Sequence, residues 1–165
     1  MRIRPAALGD LEGYEARARD AQGWLGARGL AQYVPAAHPE YAAAIRERVA
    51  NGTLFALSDG DSTVGWFSLD SAPSPWWPAD GARALHLAGI VVSREARGRG
   101  IGHEIVRWSA ARAEQRGCSA LRLDCHSGNR WLCAYYESLG FALRGKVEQH
   151  PGYFGCLYEL TAPRR

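Results

Sequence analysis

The feature that most constrains this chain is the junction at residues 92–102, where an apolar run ends in a glycine- and arginine-rich turn that leads into a helical pattern. The run Ala84–Val92 is typical of a strand. The turn carries Arg97, Gly98, Arg99, Gly100 and Gly102. Glycines let backbone N–H groups approach a ligand closely, and a helix N-terminus favours negative charge. With the two arginines, the junction predicts a site for an anion such as a pyrophosphate.

The spacing of these glycines limits what the anion can belong to. They occur at every second residue, which differs from the fingerprint of dinucleotide-binding folds, and the segments that follow form one strand, one helix and an antiparallel tail. A dinucleotide-binding fold is therefore disfavoured. A solvent-exposed Gly/Arg turn without a ligand is the alternative explanation of the same residues.

A second informative segment covers residues 129–141. Asn129 suits the N-cap of a short helix, and Gly140 suits its C-terminal stop. A strand follows directly. Tyr135 and Tyr136 lie inside the helix, about 100° apart around its axis.

Together the two segments resemble the GCN5-related N-acetyltransferase family. In that family Arg/Gln-x-x-Gly-x-Gly/Ala binds the coenzyme A pyrophosphate, and Arg97, Gly100 and Gly102 match this pattern. A downstream Asn-(x)6-Tyr-(x)3-Gly-Phe segment supplies a cofactor contact and the general acid. It is matched here by Asn129, Tyr136, Gly140 and Phe141. The resemblance covers about residues 85–160.

The resemblance implies one acyl-CoA N-acyltransferase domain over residues 1–165, with a cofactor-binding part at about 85–160 and an acceptor-shaping part at about 1–84. The implied acyl donor is acetyl-CoA. The strand before the glycine turn and the strand after the next helix should be parallel and splay apart, leaving a slot for the pantetheine arm. The implied cofactor contacts are Ile90, Val91, Val92, Arg97, Gly98, Arg99, Gly100, Ile101, Gly102, Asn129 and Tyr136.

The periodicity along the chain predicts an α/β (α+β) fold in the element order βααββββαβαββ, correct to within one strand. This corresponds to a mixed, largely antiparallel sheet of six to seven strands flanked by about four helices. The predicted elements before the glycine turn are a strand at 1–4, a helix from 10 to about 22, a short helix or loop at 24–34, a helix from 39 to 50, a hairpin around Asp59-Gly60 and a Pro-rich connector at 71–78. Ile101, Ile105 and Trp108 should face the core from the helix at about 100–116.

Composition agrees with one enzyme domain and excludes several other classes. The chain has 165 residues and is 47% hydrophobic, which excludes wholesale disorder. A net charge of +3 with scattered arginines does not predict nucleic-acid binding. The four cysteines have neither zinc spacing nor a preceding signal peptide, so no metal site and a cytoplasmic location are expected. No apolar run is long enough to span a membrane.

The implied reaction is direct attack of an amine on the thioester, and it requires an acid and a base. Tyr136 is the candidate acid, although its helical spacing with Leu132 and Leu139 also fits a core aromatic. Many relatives place a carboxylate base six residues before the end of the strand that precedes the glycine turn. His86 occupies that position, as a base or as a structural residue, and a water relay is a third alternative.

Other residues are assigned on weaker grounds. Cys125 and His126 are adjacent on a strand and face opposite sides, so packing is expected for this cysteine. His150 and Tyr153 belong to the last hairpin. Trp24, Tyr33, Trp76 and Trp77 lie in segments that shape the acceptor pocket in relatives, although loop aromatics also anchor on a surface or in a homodimer contact.

The acceptor stays open between a small-molecule amine (an antibiotic, a polyamine or an amino acid) and a peptide or protein amine. A non-catalytic acyl-CoA-binding or sensing domain on the same fold is the alternative from another functional class.

Overall fold

The computed structural model describes residues 1–30, 39–72 and 74–161, without the side chains of residues 39 and 40. These residues form seven strands and four α-helices. The strands are β1 (Arg2–Pro5), β2 (Leu54–Asp59), β3 (Ser62–Asp70), β4 (Ala84–Val92), β5 (Ala120–His126), β6 (Ala142–His150) and β7 (Tyr153–Thr161). The helices are α1 (Leu11–Gly26), α2 (Pro39–Ala50), α3 (Ile101–Gln115) and α4 (Arg130–Ser138).

The strands follow the order β1-β2-β3-β4-β5-β7-β6 in one sheet. β4 and β5 run parallel, and their pairing joins Ala84–His86 to Ala120–Arg122. The pairs β1/β2, β2/β3, β5/β7 and β6/β7 are antiparallel. The predicted mixed, largely antiparallel sheet is therefore confirmed, with seven strands and four helices.

The described chain divides into two compact units that alternate along the sequence. The first contains residues 1–69 and 89–105, and the second contains residues 70–88 and the chain from Val106 onward. In the first unit, β1, β2 and β3 form consecutive antiparallel pairs, and α1 and α2 contribute to one apolar cluster. Its buried members include Leu11, Tyr14, Ile45, Leu54, Trp66 and Val91.

In the second unit, β5 lies between the first half of β4 and β7, and β7 in turn pairs with β6 along nearly its whole length. The register matches Arg122 with Glu159 and Cys125 with Cys156. Because side chains alternate along a strand, successive residues of β5 face opposite sides of the sheet. This alternation separates two chemically different surfaces.

Two expectations need correction. α1 continues through Gly26, so Trp24 belongs to it and not to a separate element. Three strands lie between α2 and α3, which is within the one-strand margin of the predicted element order. Trp108 is only half-buried, whereas Ser109 and Ala113 continue the buried face of Ile101 and Ile105 at four-residue spacing. The expected element after Trp24, up to Val34, and the expected acceptor residue Tyr33 lie partly or wholly outside the described residues.

Ile45 tests the first apolar cluster. It is 2% exposed, so truncation leaves a cavity that the packed neighbours cannot fill completely. Ile45→Ala should lower the free energy of unfolding by about 2–5 kcal/mol, and Ile45→Val by about 0.5–1.5 kcal/mol. Urea denaturation measures both. Val49→Ala is the control, because Val49 is only partly buried; an equal loss at Val49 would contradict the assignment of this core.

Candidate active site

The glycine turn has the local structure that the sequence predicts. A short 3-10 turn at Arg94–Ala96 follows β4, and Gly98 and Gly100 adopt φ values of 75° and 76°. This left-handed region favours glycine. A Cβ atom at either position would meet nothing within 4 Å, so the backbone is open on that side.

α3 begins directly after this turn. The carbonyl of Gly100 accepts the first helical hydrogen bond from the N–H of Glu104, at 3.0 Å. The N–H groups of the first helical turn, including those of Ile101 and Gly102, therefore have no acceptor within the helix. An open loop that leads into unpaired amides is the arrangement that binds phosphate groups in many folds.

The two arginines of the turn have different surroundings. The half-buried Arg97 guanidinium lies 4.9 Å from the ring centroid of Trp24, and Arg28 lies 3.9 Å from the same ring. Arg99 is exposed and forms an ion pair with Asp59. Trp24, assigned to the acceptor side from sequence, thus contacts an arginine of the glycine turn.

β4 itself carries an unusual glycine, Gly89. Gly89 has φ of 60°, and a Cβ atom there would lie 3.7–3.9 Å from the hydroxyl oxygens of Tyr41, Tyr14 and Ser68. The two tyrosine hydroxyls are 2.8 Å apart. The Ser68 hydroxyl is buried, and the described residues give it no partner. A lone glycine in a strand pattern is the signal that could have indicated this site.

The candidate base His86 is half-buried on β4, level with Arg122 of β5. Its ring packs edge-on to Trp77, with centroids 6.2 Å apart. Burial lowers the pKa of His86 below its ordinary 6.5, and the positive charge of Arg122 lowers it further, whereas nearby carboxylates act in the opposite direction. The imidazole is therefore neutral at pH 7, the state that a base requires.

Arg122 organises the surroundings of His86. Its side chain is 6% exposed, and the guanidinium donates to Glu159 at 2.8 Å and to both carboxylate oxygens of Asp80. These bonds hold the pKa of Asp80 at about 2. The Trp77 ring stacks on this guanidinium, with its centroid 4.4 Å from the guanidinium carbon. A groove of about 840 Å³ adjoins this cluster, lined among others by Trp76, Trp77, Arg122, Lys146, Leu157 and Glu159.

The candidate acid Tyr136 is held by a well-capped helix. The Asn129 side chain accepts a hydrogen bond from the N–H of Leu132 at 3.1 Å, and Gly140 terminates α4 with φ of 88°. Tyr136 is 7% exposed, with its ring centroid 5.8 Å from that of Phe141 and 6.3 Å from that of Tyr158. Burial raises the pKa of the phenol, which keeps it protonated at neutral pH. Among the described residues its hydroxyl has no hydrogen-bond partner.

The residues of the last hairpin and of β5 that the sequence singled out are packed against neighbours. The Cys125 thiol is buried 3.7 Å from that of Cys133, and burial raises its pKa strongly, as expected for a packed cysteine. His126 stacks on Tyr153 at 4.4 Å. The ring of His150 lies 5.8 Å from that of Trp76, which places the connector after β3 against this hairpin.

Comparison with known proteins identifies the family. A family model described as "Acetyltransferase (GNAT) family" matches residues 21–141. The chain belongs to the GNAT acetyltransferase family. Its members transfer the acyl group of acetyl-CoA, so the chain is an acyltransferase with this donor.

Individual relatives are similar to this chain in sequence or in fold. An L-methionine sulfoximine/L-methionine sulfone acetyltransferase of Pseudomonas aeruginosa is 27% identical over 96% of this chain and 90% of its own length. A GNAT-family acetyltransferase of Streptococcus agalactiae shares the fold with a TM-score of 0.82 at 18% identity, over 99% of this chain and 96% of that one. A Salmonella typhimurium structure that holds its cofactor acetyl-CoA has a TM-score of 0.69 at 17% identity, over 100% and 95%. No helix within the described ranges is both long and apolar enough to cross a membrane.

Proposed function

We propose that this chain is an N-acetyltransferase that moves the acetyl group of acetyl-CoA to a primary amine by direct attack in a ternary complex. The observation that carries the proposal is Tyr136, a buried and protonated phenol on a helix framed by Asn129 and Gly140. The family requires an acid at this position of its motif. The open glycine turn before α3 supports the binding of the donor.

The turn and β4 supply the donor contacts in this proposal. Backbone amides of Gly98 to Gly102 bind the pyrophosphate, with Arg97 and Arg99 adding charge. The main chain of Ile90, Val91 and Val92 pairs with the pantetheine arm. Asn129 contributes a further contact beside its role as helix cap.

The chemical step balances with two proton transfers. The amine nitrogen attacks the thioester carbon, the new C–N bond forms and the C–S bond breaks. His86 accepts the proton of the amine, directly or through water, and the Tyr136 hydroxyl protonates the departing thiolate. The thioester is already activated, so orientation of the two substrates supplies much of the remaining rate enhancement.

For the acceptor we propose a small primary amine, and an amino-acid derivative as the first to test. The support is the Pseudomonas aeruginosa relative, which is named for L-methionine sulfone and matches nearly the whole chain. Coenzyme A release should be measured with acetyl-CoA and a panel of amino-acid derivatives, polyamines, aminoglycosides and peptides. Tight donor binding without transfer to any of these amines would instead favour an acyl-CoA sensor.

Gly102→Glu tests the donor site. Gly102 lies in the first turn of α3 and is not among the glycines with positive φ, so the substitution introduces bulk and like charge without backbone strain. Acetyl-CoA binding should be abolished in calorimetry. Gly100→Glu should do the same, but with added strain because its φ is 76°. Gly9→Glu, on an open surface of the same unit, is the control. Unchanged affinity in a folded Gly102→Glu protein would refute the assigned pyrophosphate site.

The proposed role of His86 as general base predicts a characteristic pH dependence of kcat/KM. If His86 accepts the amine proton, kcat/KM should rise with pH as the imidazole loses its proton, with a midpoint below 6.5 because burial lowers its pKa. His86→Ala should remove this limb and lower kcat/KM by about 10²-fold. Rate measurements from pH 5 to 9, with a saturating donor, provide the test. A variant that keeps the wild-type profile would favour the water relay.

The proposed role of Tyr136 as general acid predicts a change in kcat without a change in donor affinity. Tyr136→Phe keeps the ring contacts with Phe141 and Tyr158 and removes only the hydroxyl. If that hydroxyl protonates the thiolate, kcat should fall by roughly 10- to 10³-fold while acetyl-CoA affinity stays nearly constant. Tyr135→Phe, one position away on the same helix, is the matched control and should leave kcat almost unchanged. Full turnover in Tyr136→Phe would mean that another group supplies the proton.

A further inference from the structure

Asp124 is a half-buried carboxylate that the proposed mechanism does not use. It lies in β5, where most of the neighbouring positions are apolar and buried. Its carboxylate accepts one hydrogen bond, from the Gln149 side-chain amide at 2.8 Å. No cation among the described residues pairs with it, in contrast to Asp80 and Glu159, which both bind Arg122.

Such a carboxylate is costly for the fold. Burial removes its hydration, and a single neutral amide replaces only part of it, so the pKa of Asp124 is raised. The second oxygen, Oδ1, has no partner in the described chain and is not sealed from solvent. A carboxylate held in this way has an unfilled position for a donor, and a cation would stabilise it most.

The neighbouring residues hold Asp124 in one orientation. The Gln149 amide lies directly over Gly155 of β7, where a Cβ atom would approach it to 2.7 Å. Gly155 is therefore the residue that leaves room for Gln149 to reach across the sheet. This arrangement of Gly155, Gln149 and Asp124 orients the carboxylate without neutralising its charge.

The position of Asp124 relative to β5 is informative. Cys125 faces α4, because its sulfur lies 3.7 Å from that of Cys133. Asp124 faces the opposite side, together with Arg122. Trp77 contacts both Arg122 and His86, so His86 lies on this side too. The pairing of β4 with β5 ends at His86 and Arg122. Asp124 lies two residues beyond Arg122 on the same face, so His86 and Asp124 both border the end of that pairing.

We infer that Asp124 binds the ammonium group of a cationic primary amine acceptor, through its free oxygen, and that Gln149 positions the carboxylate. This inference rests on the proposed function and extends it to the class of acceptor. The acceptor amine is then held on the same face of the sheet as His86, whereas α4, which carries Tyr136, packs against the face that carries Cys125. The bound ammonium first releases one proton to solvent, and the neutral amine then attacks the thioester carbon. As the C–N bond forms, His86 accepts the second proton of the nitrogen, and Tyr136 protonates the sulfur as the C–S bond breaks.

The test compares Asp124→Asn with Asp61→Asn, an exposed carboxylate in the turn between β2 and β3. The probe is L-methionine sulfone, or the best amine of the panel if that compound is not acetylated. Loss of a charge-assisted bond should raise the acceptor KM by about 10- to 100-fold in Asp124→Asn. The KM for acetyl-CoA should not change, and Asp61→Asn should match the wild type in both constants.

Thermal unfolding separates binding from a structural role. Because the pKa of Asp124 is raised by folding, its ionised form destabilises the protein at neutral pH, and removal of the charge should keep or raise the unfolding midpoint. If Asp124→Asn is unstable, Gln149→Leu provides the test. This variant retains the Asp124 carboxylate but removes the hydrogen bond that orients it, so the acceptor KM should still rise several-fold.

Three results would overturn the inference. An unchanged acceptor KM in folded Asp124→Asn refutes it, as does an unchanged KM in Gln149→Leu where the first variant cannot be used. In either case the proposed function stands if wild-type transfer is intact. A wild-type protein that acetylates no amine refutes both.

Discussion

Burial of the Arg122 guanidinium is the interaction on which the second unit depends most. A charged side chain that is 6% exposed is tolerated only when its donors are paired, because the loss of hydration costs several kcal/mol. Asp80 and Glu159 provide that pairing from a connecting loop and from β7. The same side chain stacks on Trp77. One strand residue thus links the connector after β3, β5 and β7, and it also sets the electrostatic surroundings of His86.

Desolvation gives the proposed acid and base the protonation states that they require at neutral pH. It acts against the charged form of every group, so it raises the pKa of a phenol and lowers that of an imidazole. Tyr136 accordingly retains its proton, and His86 lacks one. Burial is the larger cause for both groups, and the charge of Arg122 adds to it at His86. The same rule raises the pKa of Asp124, because partial burial disfavours its charged form.

Local sequence signals predicted the elements around the site well, because the interactions that form these elements involve residues close together in the chain. Asn129 and Gly140 mark the ends of α4 because capping depends on a few neighbouring atoms. The glycine turn was likewise predictable from its own residues. The extent of α1 was not, because Trp24 at its end is stabilised by contacts with Arg28 and with the distant Arg97. Trp108 was misassigned because the buried positions of α3 continue from Ile105 to Ser109 and Ala113, at four-residue spacing.

The residues that sequence reasoning missed share one property: their roles depend on strand register. Arg122 and Asp124 alternate with apolar residues in β5, a pattern that indicates a polar face but not what covers it. Gln149 lies 25 positions further along the chain and reaches Asp124 only because Gly155 leaves room for it. A one-residue shift between β6 and β7 would move the Gln149 amide to the other face of the sheet. The acceptor side that we propose therefore depends on the pairing of the last strands, which a single sequence does not specify, whereas the proposed donor side depends on contiguous motifs.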